Sequence, residues 1–268
     1  MDYGDHMKSN NFYKIVVISL ALSLILACNA LAPVPTVTPS AIPPTITPVV
    51  LISQQVTLIS QPFNETNQTP PFTIASQTPQ LTGSDDPRLT AFNQRLNELV
   101  TKEVDTFRQS FLQNTAPIVN NGSSLDVTYT LLSQTADIWS FKFDFSFYSD
   151  GAAHPGLYSI TVNYDLGQGR ELALADLFLP NSNYLQAISN YCITELSKQP
   201  FFEGPFAEGA QPTPENYRNW NITPDGLMIT FDEYQVAPYA ASPQKVTVPY
   251  SELQTVINPQ GSLGQLNQ

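Results

Sequence analysis

Histidine, cysteine and charge are all scarce in this sequence, and each scarcity closes off a class of chemistry. Among 268 residues there are 2 histidines and 2 cysteines. Cys28 and Cys192 cannot build a zinc motif or a disulfide framework. Cys192 lies in a helical pattern with Ile188, Tyr191 and Leu196, so it reads as a small buried apolar side chain. A reactive thiol would need a neighbouring base, and the surrounding sequence supplies none. Charged residues make up 13% and the net charge is -12. No basic stripe is visible, so no nucleic-acid partner is expected. GxSxG, HExxH and a glycine-rich phosphate loop are missing as well. The expectation is therefore no catalytic residues, no metal and no cofactor.

What is present begins with an export signal. Lys8 and Lys14 precede an apolar run, Ile15 to Ala27, broken only by Ser19 and Ser23. The run is shorter than the roughly 20 residues of a membrane span but suits the core of a signal peptide. It ends Ile25-Leu26-Ala27-Cys28, which resembles a bacterial lipobox. The Cys28 thiol would take a diacylglycerol and the signal, 1–27, would be removed. More than one acyl chain is what makes such an anchor stable. Met1 to His6 reads as an upstream extension, with Met7 as an alternative start. No cytoplasmic domain is expected ahead of the apolar run. The expected location is the cell membrane, lipid-anchored, on the extracytoplasmic face. Residues 28–50 are rich in Pro and Thr with no charge, which favours an extended stalk of about 3.1 Å per residue.

From Leu51 the composition changes to that of a folded body. Gln54 to Ser60 and Phe72 to Ser76 read as strands, with Pro62 to Pro71 a loop between them. Asp85-Asp86-Pro87 opens a helix, since Asp before Pro supplies a cap and a first-turn proline. Leu89, Phe92, Leu96, Leu99, Val100, Val104, Phe107 and Phe111 form its apolar stripe. Leu125 to Ser133 is a strand. Ile138 to Tyr148 is another, alternating Phe141, Phe143, Phe145 and Phe147 with Lys142, Asp144 and Ser146, the pattern of a half-buried strand. A polar break, Ser149 to Gly156, leads into a strand from Leu157 to Leu166 and a third apolar run from Glu171 to Phe178. Asn181 to Lys198 is helical. Pro200 to Pro214 reads as a surface excursion and Tyr217 to Ile222 as a strand. Thr223-Pro224-Asp225-Gly226 is a hairpin turn returning along Leu227 to Phe231. Gln244 to Val248 is a last strand, Tyr250 to Leu253 a short helix, and 258–268 a loose tail. Strands outnumber helices and turns are short. The expected fold class is α+β, antiparallel sheets packed against a few helices, in two successive halves at 51–140 and 141–257.

The polar break holds His154, beside Asp150. A loop histidine of this kind can fix the chain before Pro155, contact a ligand, or act as a general base oriented by the aspartate. Asp232-Glu233 makes a poor catalytic pair, since neighbours on a strand point to opposite faces. Tyr148, Tyr158, Tyr234, Tyr239 and the Phe201, Phe202 and Phe206 group place aromatics in loops, where they can stack on sugar rings or anchor a protein. The candidate binding residues are Tyr148, Asp150, His154, Tyr234 and Tyr239.

The motifs Tyr148-Ser149-Asp150-Gly151-Ala152-Ala153-His154-Pro155, Tyr164-Asp165-Leu166, Leu174-Ala175-Asp176-Leu177-Phe178, Tyr234-Gln235-Val236-Ala237-Pro238-Tyr239-Ala240 and Val248-Pro249-Tyr250-Ser251-Glu252-Leu253 recur here in order. Together they resemble a bacterial extracytoplasmic domain family. That domain is found in RsiV-type anti-sigma factors, which sense lysozyme, and in the N-terminal, non-catalytic part of PdaC-type peptidoglycan deacetylases. The resemblance implies an α+β sensing or binding domain. Without a sigma-binding segment or a deacetylase domain, neither of those activities is expected. The partners implied are the membrane, through the lipid, and lysozyme or peptidoglycan. The alternative is a hydrolase acting on cell-wall glycan through His154 and an aspartate. The anchor is directly testable: Cys28→Ser should move the protein from the detergent phase to the aqueous phase on Triton X-114 partitioning and abolish incorporation of labelled palmitate.

Overall fold

The computed structural model describes residues 51–113, 119, 122–202 and 204–266. The expected signal, lipidated Cys28 and stalk lie outside the described residues. Among the described residues, no helix is long and apolar enough to cross a membrane.

The chain enters through a hairpin of β1 (Thr57–Gln68) and β2 (Pro71–Thr82), paired residue for residue. The loop expected from Pro62 to Pro71 is therefore mostly strand. Pro62 is tolerated because β1 lies at the sheet edge, where a missing N–H can face solvent rather than the ladder. The expected helix follows as α1 (Pro87–Leu112). Asp86 Oδ1 accepts from Arg88 N at 2.9 Å, and the Arg88 side chain holds the Asp86 carboxyl down to about 2. Leu89, Phe92, Leu96, Leu99, Val100, Val104 and Phe107 are all buried, as the stripe predicts.

After α1 the chain forms β3 (Ser123–Thr135), β4 (Ile138–Tyr148) and β5 (Gly156–Asp165), an antiparallel meander. β3 runs parallel to β2, from Phe72 opposite Ser123 to Ser76 opposite Val127. That pair departs from the antiparallel pattern of its neighbours because α1 is a crossover connection, the device parallel strands require. The expected third run shrinks to β6 (Arg170–Glu171) and a 3-10 turn, Leu174–Leu177. The six strands lie in sequence order. α1 covers one face, with Phe92 fully buried 5.8 Å from the Phe141 ring and 5.1 Å from Tyr164.

The rest of the chain builds a second layer. α2 (Tyr184–Leu196) and the short α3 (Pro205–Glu208) precede β7 (Trp220–Thr223), β8 (Gly226–Phe231) and β9 (Gln244–Val248), an antiparallel three-stranded sheet. α4 (Tyr250–Leu253) and α5 (Ser262–Leu266) close the described chain. The hairpin turns at Gly226, whose φ of +155° and close approach to Val248 O leave no room for a side chain. Ile188, Cys192 and Leu196 pack with Leu227, Ile229, Phe231 and Leu253 in a second core. Two expectations change. Tyr217 belongs to a 3-10 turn, and its hydroxyl donates to Ala210 O at 2.6 Å, so the supposed surface excursion is pinned by a fully buried Ala210. The tail from Asn258 is not loose, since Leu263 is fully buried in the second core. Position 140/141 falls inside β4, and the six-stranded sheet is continuous across it.

β4 is more than half-buried. Phe141, Phe143 and Phe145 are fully buried against α1, but Ser140 and Lys142 on the opposite face are also buried. That face meets β7. Ser140 Oγ donates to Asn163 Oδ1 at 2.7 Å, and Asn163 Oδ1 also accepts from Ile222 N at 3.0 Å. Asn163 Nδ2 donates to Trp220 O, and Asn221 Nδ2 donates to Ser140 Oγ and Phe141 O. A polar seam thus joins the two sheets. Asn163→Ala would strand Ile222 N, Trp220 O and the Ser140 hydroxyl in a buried layer. Each such loss costs about 1–3 kcal/mol, so chemical denaturation should show a stability loss of at least ~2 kcal/mol.

Candidate functional site

The β4–β5 loop and the segment after β8 come together at one edge of the molecule. Asp150, at the head of the loop, accepts from Val119 N at 2.5 Å and Gly122 N at 3.3 Å, while its own N–H donates to Ser123 Oγ. Gly151 next to it has φ +83°, a conformation glycine adopts without cost. Asp150 therefore ties the loop to the chain entering β3. Tyr148 sits opposite Ser124 at the end of β4.

His154 points elsewhere. Its exposed ring stacks on Tyr239 at 3.8 Å and 26°. Nδ1 lies 2.9 Å from Pro155 O. A carbonyl only accepts, so in this contact Nδ1 is the donor. Tyr239 donates its hydroxyl to the same Pro155 carbonyl at 3.3 Å. Tyr234 continues the pile, 6.0 Å from Tyr239 at 28°.

The segment carrying the two tyrosines is fixed from below. Val236 and Ala237 are fully buried, which turns Tyr234 and Tyr239 outward. Gln235 Nε2 donates to Gly209 O and Asn216 O, and its Oε1 accepts from Asp232 N. Ser242 Oγ accepts from Tyr234 N and lies 3.0 Å from both Ala237 O and Pro238 O. Tyr234 has φ +62° and is 55% exposed. For a side chain of that bulk the left-handed conformation costs roughly 1–2 kcal/mol.

The adjacent carboxylates Asp232 and Glu233 serve the β5 edge. Glu233 Oε2 accepts from Leu157 N at 3.1 Å and Asp232 Oδ1 from Ser159 N at 3.0 Å. β6 reaches only Tyr164 and Asp165, so these earlier amides lack a strand partner, and the carboxylates supply one. Asp232 Oδ2 also accepts from Arg218 at 2.6 Å and from Asn219 at 3.1 Å. On the seam side, Asp144 pairs with the buried Lys142 and accepts from Ser159 Oγ at 2.8 Å. These edge bonds leave no trace in the sequence, because on β5 the carboxylates meet backbone amides.

Chemically, the arrangement offers ring faces and acceptors. Three of the candidate residues, His154, Tyr234 and Tyr239, meet in one stack; Asp150 is engaged with backbone on the other side of the loop. Burial pushes the Cys192 thiol up to about 12, so it is not a nucleophile at neutral pH. Burial, and then the hydrogen bond to Glu103, also raise Tyr158. Among the described residues, no group of three or more His, Cys, Asp and Glu side chains could hold a metal ion. Asp150→Ala should release the loop at a cost of about 1 kcal/mol, read as a melting temperature lower by ~3 °C, whereas His154→Ala should leave melting unchanged.

Comparison with known proteins agrees with this fold. The chain is 26% identical over 168 residues to the peptidoglycan-N-acetylmuramic acid deacetylase PdaC of Bacillus subtilis, covering 62% of this chain and 36% of that protein. It is 28% identical over 108 residues to an esterase of Mycobacterium tuberculosis, covering 40% of this chain and 48% of the esterase. The chain thus spans between about a third and a half of the curated relatives it matches. A crystal structure from Bacteroides fragilis matches with a TM-score of 0.54 at 14% identity, over 76% of this chain and 94% of that one. A second from Pseudomonas aeruginosa matches with a TM-score of 0.50 at 16% identity, over the same shares. These likenesses establish the fold. Residues 175–251 match the family described as protein of unknown function (DUF3298), the family of both crystal structures, in keeping with the resemblance carried by the loop and strand motifs.

Proposed function

We propose that this chain is a surface-anchored lipoprotein whose extracytoplasmic domain binds or senses a cell-wall component or a wall-acting protein such as lysozyme, without catalysing a reaction. The observation that carries this reading is the His154–Tyr239–Tyr234 stack, three rings held at the surface by backbone and buried anchors. Preformed aromatic surface is the currency of recognition rather than of bond cleavage. The wall enters through the relative whose name includes peptidoglycan. Lysozyme is favoured by charge, since a net charge of -12 attracts a basic protein.

A hydrolase built on His154 and an aspartate finds less support. Asp150 is committed to the amides of Val119 and Gly122, and Asp232 to Arg218, Asn219 and Ser159. Neither orients His154, whose Nδ1 is engaged with its neighbour's carbonyl. The purified protein should be captured by peptidoglycan sacculi or by immobilised lysozyme, and should release no soluble fragments from sacculi. Capture by neither sinks the binding reading. Fragment release that disappears in His154→Ala, with melting unchanged, would establish the hydrolase instead.

A further inference from the structure

We propose that the exposed face of Tyr234 is a stacking subsite for a pyranose ring of a neutral glycan, with Glu233 as the neighbouring hydroxyl acceptor. This rests on the binding reading above and narrows it to a ligand class.

The backbone at Tyr234 is the first observation. Its φ of +62° is one that glycine or asparagine would adopt more easily, yet a tyrosine stands there. Strain of this kind persists where surrounding structure enforces it, and such places cluster at functional sites. Here Ser242 Oγ holds the Tyr234 amide, and Val236 and Ala237 anchor the chain beyond it. The ring at this position is 55% exposed, more open than Phe63 at 44% or Phe147 at 37%.

The second observation is the neighbourhood of the ring. Tyr239 lies 6.0 Å from it at 28° and His154 stacks on Tyr239 at 3.8 Å, so Tyr234 is one end of a run of three ring contacts, on a backbone held by Ser242. A ligand meeting it loses little side-chain entropy, the gain preorganisation gives.

The third is the setting. Protein hot spots sit inside contiguous apolar patches. Tyr234 instead adjoins Glu233 in the chain and Ser242 across the turn. A pyranose ring suits an exposed aromatic with polar borders: its axial C–H bonds form an apolar face and its hydroxyls form a donor rim. Of the two carboxylates nearby in the chain, Asp232 is consumed by Arg218, Asn219 and Ser159. Among the described residues Glu233 accepts from the Leu157 amide and has no cationic partner, so it keeps lone pairs for hydroxyl donors.

The test is calorimetric titration of the full chain with chitohexaose and with cellohexaose, with capture on sacculi and on immobilised lysozyme as separate arms. The wild type should bind at least one oligosaccharide. Tyr234→Phe should bind equally well, because the ring and not the hydroxyl does the stacking. Tyr234→Asn should weaken binding about tenfold or more while melting no lower than the wild type, since asparagine accepts the left-handed backbone. Undiminished oligosaccharide binding by Tyr234→Asn overturns the proposal. So does failure of both oligosaccharides while sacculi or lysozyme still capture the wild type; in that case the broader binding reading stands. Failure of every arm removes both.

Discussion

The structure depends on a strand buried on both faces by unlike partners. β4 presents Phe141, Phe143 and Phe145 to α1, and Ser140, Lys142 and Asp144 to the seam with the second sheet. A slip of one residue would put phenyl rings into the polar seam and an ammonium into the apolar core. The register of β3 and β5 follows, since both pair along nearly the whole of β4. The irregularity between Leu131 and Ser133 fits the same constraint. It shifts β3 by one residue, so that Ser133 leaves the apolar side and donates to Ile222 O at 2.6 Å. The seam is specific because its members are few and each bonds to others within it, even though Asn221 Oδ1 is left without a partner. Asn163 alone engages Ser140, Trp220 and Ile222.

What was legible in the sequence is what local periodicity and turn chemistry encode. The α1 stripe, the Asp86 cap, the β4 alternation and the Gly226 hairpin all appear where expected. Partner-dependent features were not legible. β1 extends past Pro62 because β2 lies alongside it, which nothing in the residues 62–71 announces. The second face of β4 looked solvated because Lys142 and Asp144 are charged, and only β7 makes that face interior. The tail looked loose because it is polar, yet a single leucine at 263 docks it. Each miss is a tertiary contact overriding a local preference.

The site divides in the same way. Its residue types were readable as loop aromatics near a histidine, and three of the five named side chains meet. The reason they meet was not readable. A left-handed residue is ordinarily flagged by Gly, Asn or Asp, so a tyrosine at φ +62° leaves no trace in the sequence. Asp150 looked like the partner of His154 because the two are four residues apart. Gly151 turns the loop between them, and the carboxylate closes onto Val119 and Gly122 instead.

The aromatic stack and the sheet interface are mechanically one object. Tyr234 and Tyr239 follow β8 in the second sheet, whereas His154 and Pro155 lie between two strands of the first. What aligns them is the pair Asp232 and Glu233, which reach from the end of β8 to the unpaired amides of Ser159 and Leu157. Those amides are unpaired because β6 is only two residues long. A longer β6 would occupy the edge and displace both carboxylates. The short strand that breaks the expected meander is therefore the feature that lets the second sheet's loop complete a surface begun by the first. Neither half of the fold holds that surface alone.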